Sequence, residues 1–288
     1  MIFSYLRYLN VFLLFLIGCN FLARGSTSGE ISYDQNYAVI YGGSHFVPLN
    51  QGKEIQLILD NTSGAGFGSK MKYGSGYFHM RMKVPGGDTT GVATAYYLTS
   101  HGNKHNELDF EFMGDTEGMP YKLQTNIFID DIGDREQRIH LWFDPIADIH
   151  DYVILWNQHQ IVFYVDNIPI RIYKNKTNIG VPYPSKPMKI EATLWHGEWA
   201  IEGKRKTNWS YAPFKANYQG FGVSGCEVQS LNDQHCVSDS YWWNGEKFWQ
   251  LDSVQQKQYE SVNQKYIVYD YCTDRRKHPT TPLDCTLN

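Results

Sequence analysis

The chain has 288 residues, with 26 basic against 30 acidic side chains and a formal net charge of −4. No basic patch of the size that nucleic acids require is evident, which argues against nucleic acid as the main partner. Aromatic residues make up 15% of the chain, including 21 Tyr and 8 Trp, and this composition favours a β-rich fold and a groove in which flat rings stack.

The first 25 residues have the features of a secretory signal peptide. Arg7 supplies the positive start, residues 11–17 form a short apolar core, and Ala23 and Gly25 place small side chains at the cleavage position. The apolar core is shorter than a membrane span. Residues 1–25 contain two basic and no acidic side chains, so their removal changes the net charge from −4 to −6. We expect a soluble, secreted protein that does not associate with a membrane.

Short strands separated by Gly, Pro and Asn turns follow one another along most of the chain. Residues 152–156 and 160–166 are typical of a hairpin around residues 157–159. The other predicted strands are residues 36–41, 54–60, 72–84, 92–99, 121–130, 138–143, 169–173 and 188–195. Their spacing of about ten residues predicts an all-β sandwich or barrel.

Three carboxylates alternate with large apolar residues in the middle of the chain. Because side chains alternate between the two faces of a strand, Glu107, Asp109 and Glu111 are predicted to share one face. Like charges at this spacing repel, so stability alone does not favour the arrangement. Such clustering separates carboxyl pKa values, as acid–base catalysis requires. A solvated acidic strand and half of a metal site are the alternatives.

The last quarter of the chain has a different pattern. Residues 253–266 have a loose helical stripe of apolar side chains, with Asp252 or Ser253 as the N-cap. Five cysteines are present, and Cys19 leaves with the signal peptide. The remaining four allow three pairings, of which we expect the sequence-local one, Cys226–Cys236 with Cys272–Cys285. A zinc site is disfavoured, because the spacings are wide and no C-x-x-C is present. We expect the domain boundary between residues 217 and 218.

The carboxylate motif at residues 105–114 resembles the E-x-D-x-E strand of glycoside hydrolase family 16. The surrounding sequence resembles one branch of that family, the plant xyloglucan endotransglucosylase/hydrolases, from about residue 33 to residue 285. The matching stretches are residues 73–78, 94–100, 123–126, 135–138, 141–145, 166–171 and 271–274. This resemblance implies an all-β jelly-roll sandwich with an open substrate cleft over residues 26–217. It further implies a small disulfide-bonded C-terminal extension with one helix over residues 218–288.

The same resemblance assigns roles to individual residues. It implies that Glu107 is the nucleophile, that Glu111 is the acid/base, and that Asp109 orients and tunes a neighbouring Glu. Trp199 and Ala200 match an acceptor-side platform. The full set of implied glucan contacts is Glu111, Gln124, Thr125, Asn126, Asp134, Arg135, Glu136, Trp195, Trp199, Ala200, Gly203 and Lys277.

The chain departs from the family pattern at several positions. The sequon that usually follows the motif is absent from residues 114–118, and the loop at residues 195–199 is shortened. Lys277 stands where a family Arg is usual, which keeps the charge but loses the guanidinium fork. Tyr41 stands where a Trp is usual. Sequons occur instead at Asn61, Asn175 and Asn208.

The resemblance implies an enzyme of the plant cell wall and apoplast that cleaves xyloglucan with retention and rejoins it to a second xyloglucan chain or to water. We expect a monomer that needs no cofactor and no metal. Calcium at Asp130, Asp131 and Asp134 is disfavoured, because no EF-hand spacing is present. The alternatives are a non-catalytic glucan-binding wall protein and a mainly hydrolytic β-glucanase on another glucan.

Overall fold

Two antiparallel β-sheets pack face to face, and both contribute side chains to the main hydrophobic core. The computed structural model describes residues 31–197, 206–229 and 235–286. The predicted signal peptide lies outside these residues. The strands are β1 (Tyr37–Tyr41), β2 (Phe46–Leu49), β3 (Glu54–Leu59), β4 (Ala65–Ser69), β5 (Lys72–Lys83), β6 (Val92–Thr99), β7 (Glu107–Met113), β8 (Lys122–Phe128), β9 (Gln137–His140), β10 (His150–Trp156), β11 (Gln160–Val165), β12 (Ile168–Lys174), β13 (Lys189–His196), β14 (Phe214–Gln219), β15 (Ser224–Val228) and β16 (Ile267–Asp270).

Helical structure is sparse. In the described part of the chain the α-helix is α1 (Ser253–Tyr266). Short 3-10 turns occupy Tyr33–Gln35, Gly43–His45, Asn50–Gly52, Thr177–Ile179, Trp209–Tyr211, His235–Val237, Trp242–Asn244, Glu246–Phe248 and Leu283–Cys285. Across residues 31–197, 206–229 and 235–286, no helix has the length and apolar character needed to cross a membrane.

The two sheets have eight strands each. The first sheet has the order β1-β4-β13-β6-β7-β8-β9-β16, so β7 is a central strand with β6 and β8 on either side. The second sheet has the order β12-β11-β10-β5-β14-β3-β2, and β15 also pairs with β5. The predicted hairpin is confirmed as β10–β11, with Trp156 opposite Ile161.

The apolar face of β7 forms the centre of the core, as its period-two pattern predicts. Leu108, Phe110 and Phe112 are fully buried. The Phe110 ring meets Phe163 of β11 edge-on at 5.1 Å, and the Phe112 ring meets Tyr152 of β10 at 4.9 Å. These contacts bind β7 to the second sheet, so its opposite face, with the carboxylates, points out of the sandwich.

The C-terminal segment is built into both sheets. The predicted helix is confirmed as α1, and Asp252 caps it by accepting hydrogen bonds from the backbone N–H groups of Val254 and Gln255, both at 2.8 Å. Both predicted disulfides are present. β15 pairs with β5 of the second sheet and β16 pairs with β9 of the first. The expected boundary at residues 217 and 218 falls inside β14 and stays a prediction.

Several strands were not predicted, and one was shorter than predicted. Residues 65–69 have a turn-like composition because of Gly66 and Gly68, yet they form β4. A Cβ on Gly66 would lie 2.6 Å from the Tyr41 ring, so crowding against β1, rather than a turn, explains that glycine. The strands β2, β14, β15 and β16 were also missed. The strand predicted at residues 138–143 ends at His140, and residues 141–143 leave the sheet.

Candidate active site

The three carboxylates lie on the exposed face of the first sheet, each in its own row across the strands. Antiparallel register places Glu107 opposite Thr99 of β6, Asp109 opposite Tyr97, and Glu111 opposite Ala95. On the other side, β8 places Asn126 opposite Asp109 and Gln124 opposite Glu111. The carboxylates therefore line the floor of one cleft, flanked by polar and aromatic side chains.

A pocket of about 380 Å³ opens above this floor. Its walls come from four strands of the first sheet. The lining residues are Tyr41, Ala95, Tyr97, Glu107, Asp109, Glu111, Thr193 and Trp195. Aromatic rings beside carboxylates are the combination that binds sugar rings, because the rings stack and the carboxylates accept hydroxyl hydrogen bonds.

Asp109 is set up to hold a proton. It is buried, and this burial, followed by the negative charges of Glu107 and Glu111, raises its pKa well above the ordinary value. A protonated Asp109 donates a hydrogen bond to Glu107. Its Oδ1 is buried without a hydrogen-bond partner in the described part of the chain. Asp109 thus provides a proton donor to its neighbour in place of a third negative charge.

The surroundings of Glu107 have opposing effects on its pKa. Burial is the largest influence and raises its pKa above the ordinary value, while hydrogen bonds from Thr99 and Asp109 and the charge of His105 act against that rise. Each of the latter three contacts stabilises the ionised form. Glu107 is therefore a partly buried carboxyl group whose ionised form, the form that a nucleophile needs, is stabilised by neighbouring donors.

Glu111 is suited to carrying a proton near neutral pH. Burial is the largest influence and raises its pKa to about 7, with the hydrogen bond from Gln124 acting against it. Gln124 Nε2 donates to Glu111 Oε2 at 2.7 Å, and Arg138 Nε donates to Gln124 Oε1 at 2.7 Å. Arg138 thereby fixes which way the Gln124 amide points. A carboxyl that titrates near neutrality can both give and take a proton.

The other residues predicted on β8 point in different directions. Asn126 is buried beside Asp109, and its Oδ1 accepts hydrogen bonds from the backbone N–H groups of Ile127 and Arg135 at 2.9 and 3.2 Å. Thr125 lies on the opposite face of the strand. There the buried Arg171 Nη1 donates to the Thr125 carbonyl and hydroxyl at 2.7 and 3.0 Å. The structure does not bring Thr125 together with the carboxylates.

The predicted glucan-contacting loop lies at the β9 end of the cleft. Lys277 Nζ meets Asp134 Oδ1 at 2.8 Å and Glu136 Oε2 at 3.0 Å, so these three residues form one charged group. Arg135 is directed inward instead, donating through Nε to Asp284 at 3.0 Å and through Nη1 to the Ile132 carbonyl at 2.8 Å. Its guanidinium ties the loop to the C-terminal segment.

The remaining predicted positions fall into three groups. Trp195 and Tyr41 line the pocket, whereas Trp199, Ala200 and Gly203 lie outside the described residues. The sequon residues Asn61, Asn175 and Asn208 are away from the pocket lining. The Asn175 amide already donates to the Gln158 carbonyl at 2.7 Å.

The acidic turn that was weighed for calcium is occupied by basic partners. Asp130 pairs with Lys186 at 2.9 Å, Asp131 with His105, and Asp134 with Lys277. Within the described ranges, a metal-type grouping is found at Cys226, His235 and Cys236, where the two sulfurs form a disulfide.

Sequence reasoning missed several residues that shape the site. Glu191 of β13 is buried, accepts a hydrogen bond from Tyr97 Oη at 2.9 Å, and lies 2.6 Å from His101 Nε2. A lone carboxylate between Ile190 and Ala192 in an apolar strand is a signal that could have identified it. Arg138 and Arg171 gave no such signal.

Two family models match the chain. Residues 33–211 match the model described as glycosyl hydrolases family 16, and residues 237–285 match that of the xyloglucan endo-transglycosylase C-terminus. The chain belongs to glycoside hydrolase family 16. Two family relatives from Arabidopsis thaliana are similar over nearly their whole length. Xyloglucan endotransglucosylase/hydrolase protein 2 is 53% identical over 270 residues, covering 92% of each chain. Protein 3 is 50% identical over 290 residues, covering 98% of this chain and 99% of its own.

The solved structures confirm the family 16 fold. A Bacillus licheniformis β-glucanase superposes with a TM-score of 0.55 at 22% identity, covering 64% of this chain and 89% of its own. At this identity the likeness shows the fold alone, and it confirms the predicted sandwich class.

Proposed function

We propose that this family 16 protein is a secreted wall enzyme that cleaves the β-1,4-glucan backbone of xyloglucan with retention and transfers the fragment to a second xyloglucan chain or to water. The observation that carries the proposal is that Glu107 and Glu111, on the same face of β7, have different surroundings. Hydrogen bonds from Thr99 and Asp109 stabilise the ionised form of Glu107 against its burial, whereas burial raises the pKa of Glu111 to about 7. Relatives at 53% and 50% identity that bear the xyloglucan endotransglucosylase/hydrolase name support the choice of glucan.

In the first step the Glu107 carboxylate attacks the anomeric carbon of the sugar above the pocket floor. A C–O bond forms to Glu107 while the glycosidic C–O bond breaks, and Glu111 gives its proton to the departing oxygen. Asp109 donates a hydrogen bond to Glu107, which keeps Glu107 ionised and oriented before attack. The product is a covalent glycosyl-enzyme and a free glucan end.

In the second step Glu111 is the base. It takes the proton from an acceptor hydroxyl, whose oxygen attacks the same carbon and releases Glu107. The acceptor is a sugar hydroxyl in transfer and water in hydrolysis. An aromatic ring that positions an acceptor sugar favours transfer, because it places the hydroxyl where water would otherwise react. Trp195 at the pocket is such a ring, and Trp199 and Ala200 stay predictions for the same role.

We further propose glucan contacts at Gln124, Asn126, Glu136 and Lys277, and a monomeric enzyme acting in the plant wall and apoplast. The Lys277 group with Asp134 and Glu136 supports the first part, because Glu136 is close enough to the catalytic strand for its charge to act on Glu111. The sequons at Asn61, Asn175 and Asn208 remain proposed glycosylation sites.

One incubation tests the function. The purified protein is mixed with xyloglucan and a labelled xyloglucan oligosaccharide, and label in polymer and new reducing ends are both measured over time. We expect label to enter the polymer with wild type and not with Glu107→Gln. New reducing ends without label transfer mean a hydrolase. Neither signal, with binding retained, means a non-catalytic glucan-binding protein and refutes the proposal.

A further inference from the structure

A polar cluster behind the wall of the pocket is unused by the mechanism above. Its centre is Glu191, whose side chain is only 7% exposed. Tyr97 Oη donates to Glu191 Oε2 at 2.9 Å, and His101 Nε2 lies 2.6 Å from Oε1. Burying a carboxyl group has a cost in solvation even when each oxygen has a polar neighbour, so the presence of Glu191 in an apolar strand needs an explanation.

The cluster is linked to the nucleophile by two routes. The first runs across the sheet, since Tyr97 lies between Glu191 and Asp109 in one row across β13, β6 and β7, lines the pocket together with Glu107, and is close enough for the Glu107 charge to act on it. The row places Glu191 two strand spacings, about 10 Å, from Asp109. The Tyr97 phenol has one proton and gives it to Glu191, so its oxygen can only accept hydrogen bonds from the pocket side.

The second route runs through the turn after β6. Thr99 donates a hydrogen bond to Glu107, and the Thr99 hydroxyl accepts one from the His101 backbone N–H at 3.4 Å. His101 has a left-handed backbone with φ of +54°. A non-glycine residue in that region is held there by its surroundings, and the contact of its ring with Glu191 is one such restraint.

We propose that Glu191 is a positioning residue for the nucleophile, acting on Glu107 through Tyr97 and through the Thr99–His101 turn. The inference rests on the proposed function, because it assigns attack to Glu107. The cluster anchors the Tyr97 ring, which lines the pocket with Glu107, and the turn that holds the Thr99 hydroxyl, which donates to Glu107. The charge of Glu191 also acts on Glu107 across the sheet.

The charges around Glu191 fix the sign of its electrostatic effect. Tyr97 and His101 face it from β6 and the following turn, Tyr41 from β1, and Glu107 from β7. On the β4 side its neighbour is Gly68, which carries no charge. The negative charge of Glu191 raises the pKa of Glu107. Removing it lowers that pKa, so Glu107 becomes ionised at lower pH.

The test uses Glu191→Gln, which keeps the size of the side chain and removes the charge. We expect kcat to fall about tenfold, because the Tyr97 hydroxyl loses a charged acceptor. We expect KM for xyloglucan to stay within about twofold, because Glu191 is not in the pocket lining. The acidic limb of the kcat/KM profile, which reports ionisation of Glu107, moves to lower pH. A purely structural role would not move that limb.

A double-mutant cycle tests the link to Tyr97. Tyr97→Phe removes the same hydrogen bond from its other end. If the two residues act as a unit, Glu191→Gln/Tyr97→Phe loses about as much kcat as either single variant, whereas independent residues give about a hundredfold loss. Glu54→Gln is the matched control, since Glu54 is a half-buried strand carboxylate with amide partners in the second sheet.

The outcomes separate the two proposals. Wild type that turns over no glucan refutes the proposed function, and the inference is then decided by carboxyl ¹³C NMR titration of Glu107 in wild type and Glu191→Gln. Any one of four results refutes the role of Glu191. These are a Glu107 titration that does not move, an acidic limb that does not move, kcat losses that multiply in the double-mutant cycle, and a kcat loss in Glu54→Gln equal to that in Glu191→Gln. Unfolding midpoints of all variants show whether a loss of kcat is a loss of fold.

Discussion

Gln124 sets the pH at which the enzyme loses its acid catalyst. Its amide donates to Glu111 at 2.7 Å, and this bond lowers a pKa that burial raises. With a Glu111 pKa of about 7, kcat/KM should fall as pH rises through that value, because Glu111 must be protonated to donate. The Gln124→Met variant keeps the approximate shape of the side chain and removes the donor.

The size of the effect follows from the bond that is lost. A hydrogen bond to a charged group contributes about 1.5–3 kcal/mol, and one pKa unit corresponds to about 1.4 kcal/mol. Glu111 is half-buried and opens onto the cleft, so we take the lower end. The ionised form loses a donor, the pKa of Glu111 rises, and the basic limb should move up by about one pH unit.

The assay is the initial rate of label transfer at limiting xyloglucan between pH 4 and pH 9, with the oligosaccharide acceptor saturating. The acidic limb, set by Glu107, should move less than the basic limb. Gln56→Met is the matched control, because Gln56 is a strand glutamine of the second sheet that donates to Asn217 at 3.4 Å. A basic limb that stays in place or moves to lower pH in Gln124→Met refutes the assignment of the limb to Glu111.

Three further predictions concern other parts of the molecule. Glu107→Gln should abolish both transfer and hydrolysis while leaving the unfolding midpoint close to wild type, and substantial residual turnover contradicts the nucleophile assignment. Lys277→Met should raise KM for xyloglucan severalfold by leaving two neighbouring carboxylates unpaired, yet change the free energy of unfolding by about 1 kcal/mol or less in denaturant titrations. Replacing both Cys272 and Cys285 by Ser opens a loop with a sequence separation of 13 and should cost about 3 kcal/mol of unfolding free energy; an unchanged denaturation midpoint contradicts this.

The parts of the site that were predicted from sequence are those fixed by local periodicity. A strand has period two, so the shared face of Glu107, Asp109 and Glu111 and the burial of Phe110 follow from spacing alone. The same holds for α1 with its Asp252 cap, whose signal lies within a few residues. The sequence-local disulfides are confirmed as well.

The parts that could not be predicted depend on which distant strands become neighbours. Glu191 and Arg138 reach the site from β13 and β9, and no local pattern specifies that register. Thr125 is the opposite case, a residue that was predicted at the site and does not lie there. It lies between Gln124 and Asn126 in sequence, but period two turns it away from the cleft and onto Arg171. Family resemblance identified the neighbourhood of the site, whereas strand pairing decided which side chains enter it.

β16 ends the sheet that carries the catalytic residues. Without it, β9 would be an edge strand with unpaired backbone donors and acceptors, which invites pairing with other chains. β16 covers that edge with only four residues, and its register shifts between Ile267 and Tyr269, which interrupts the row of hydrogen-bonding groups that it presents. The Cys272–Cys285 disulfide begins two residues after β16 ends. Reduction of that disulfide should therefore promote self-association through the uncovered β9 edge, a route to aggregation that leaves the carboxylates intact.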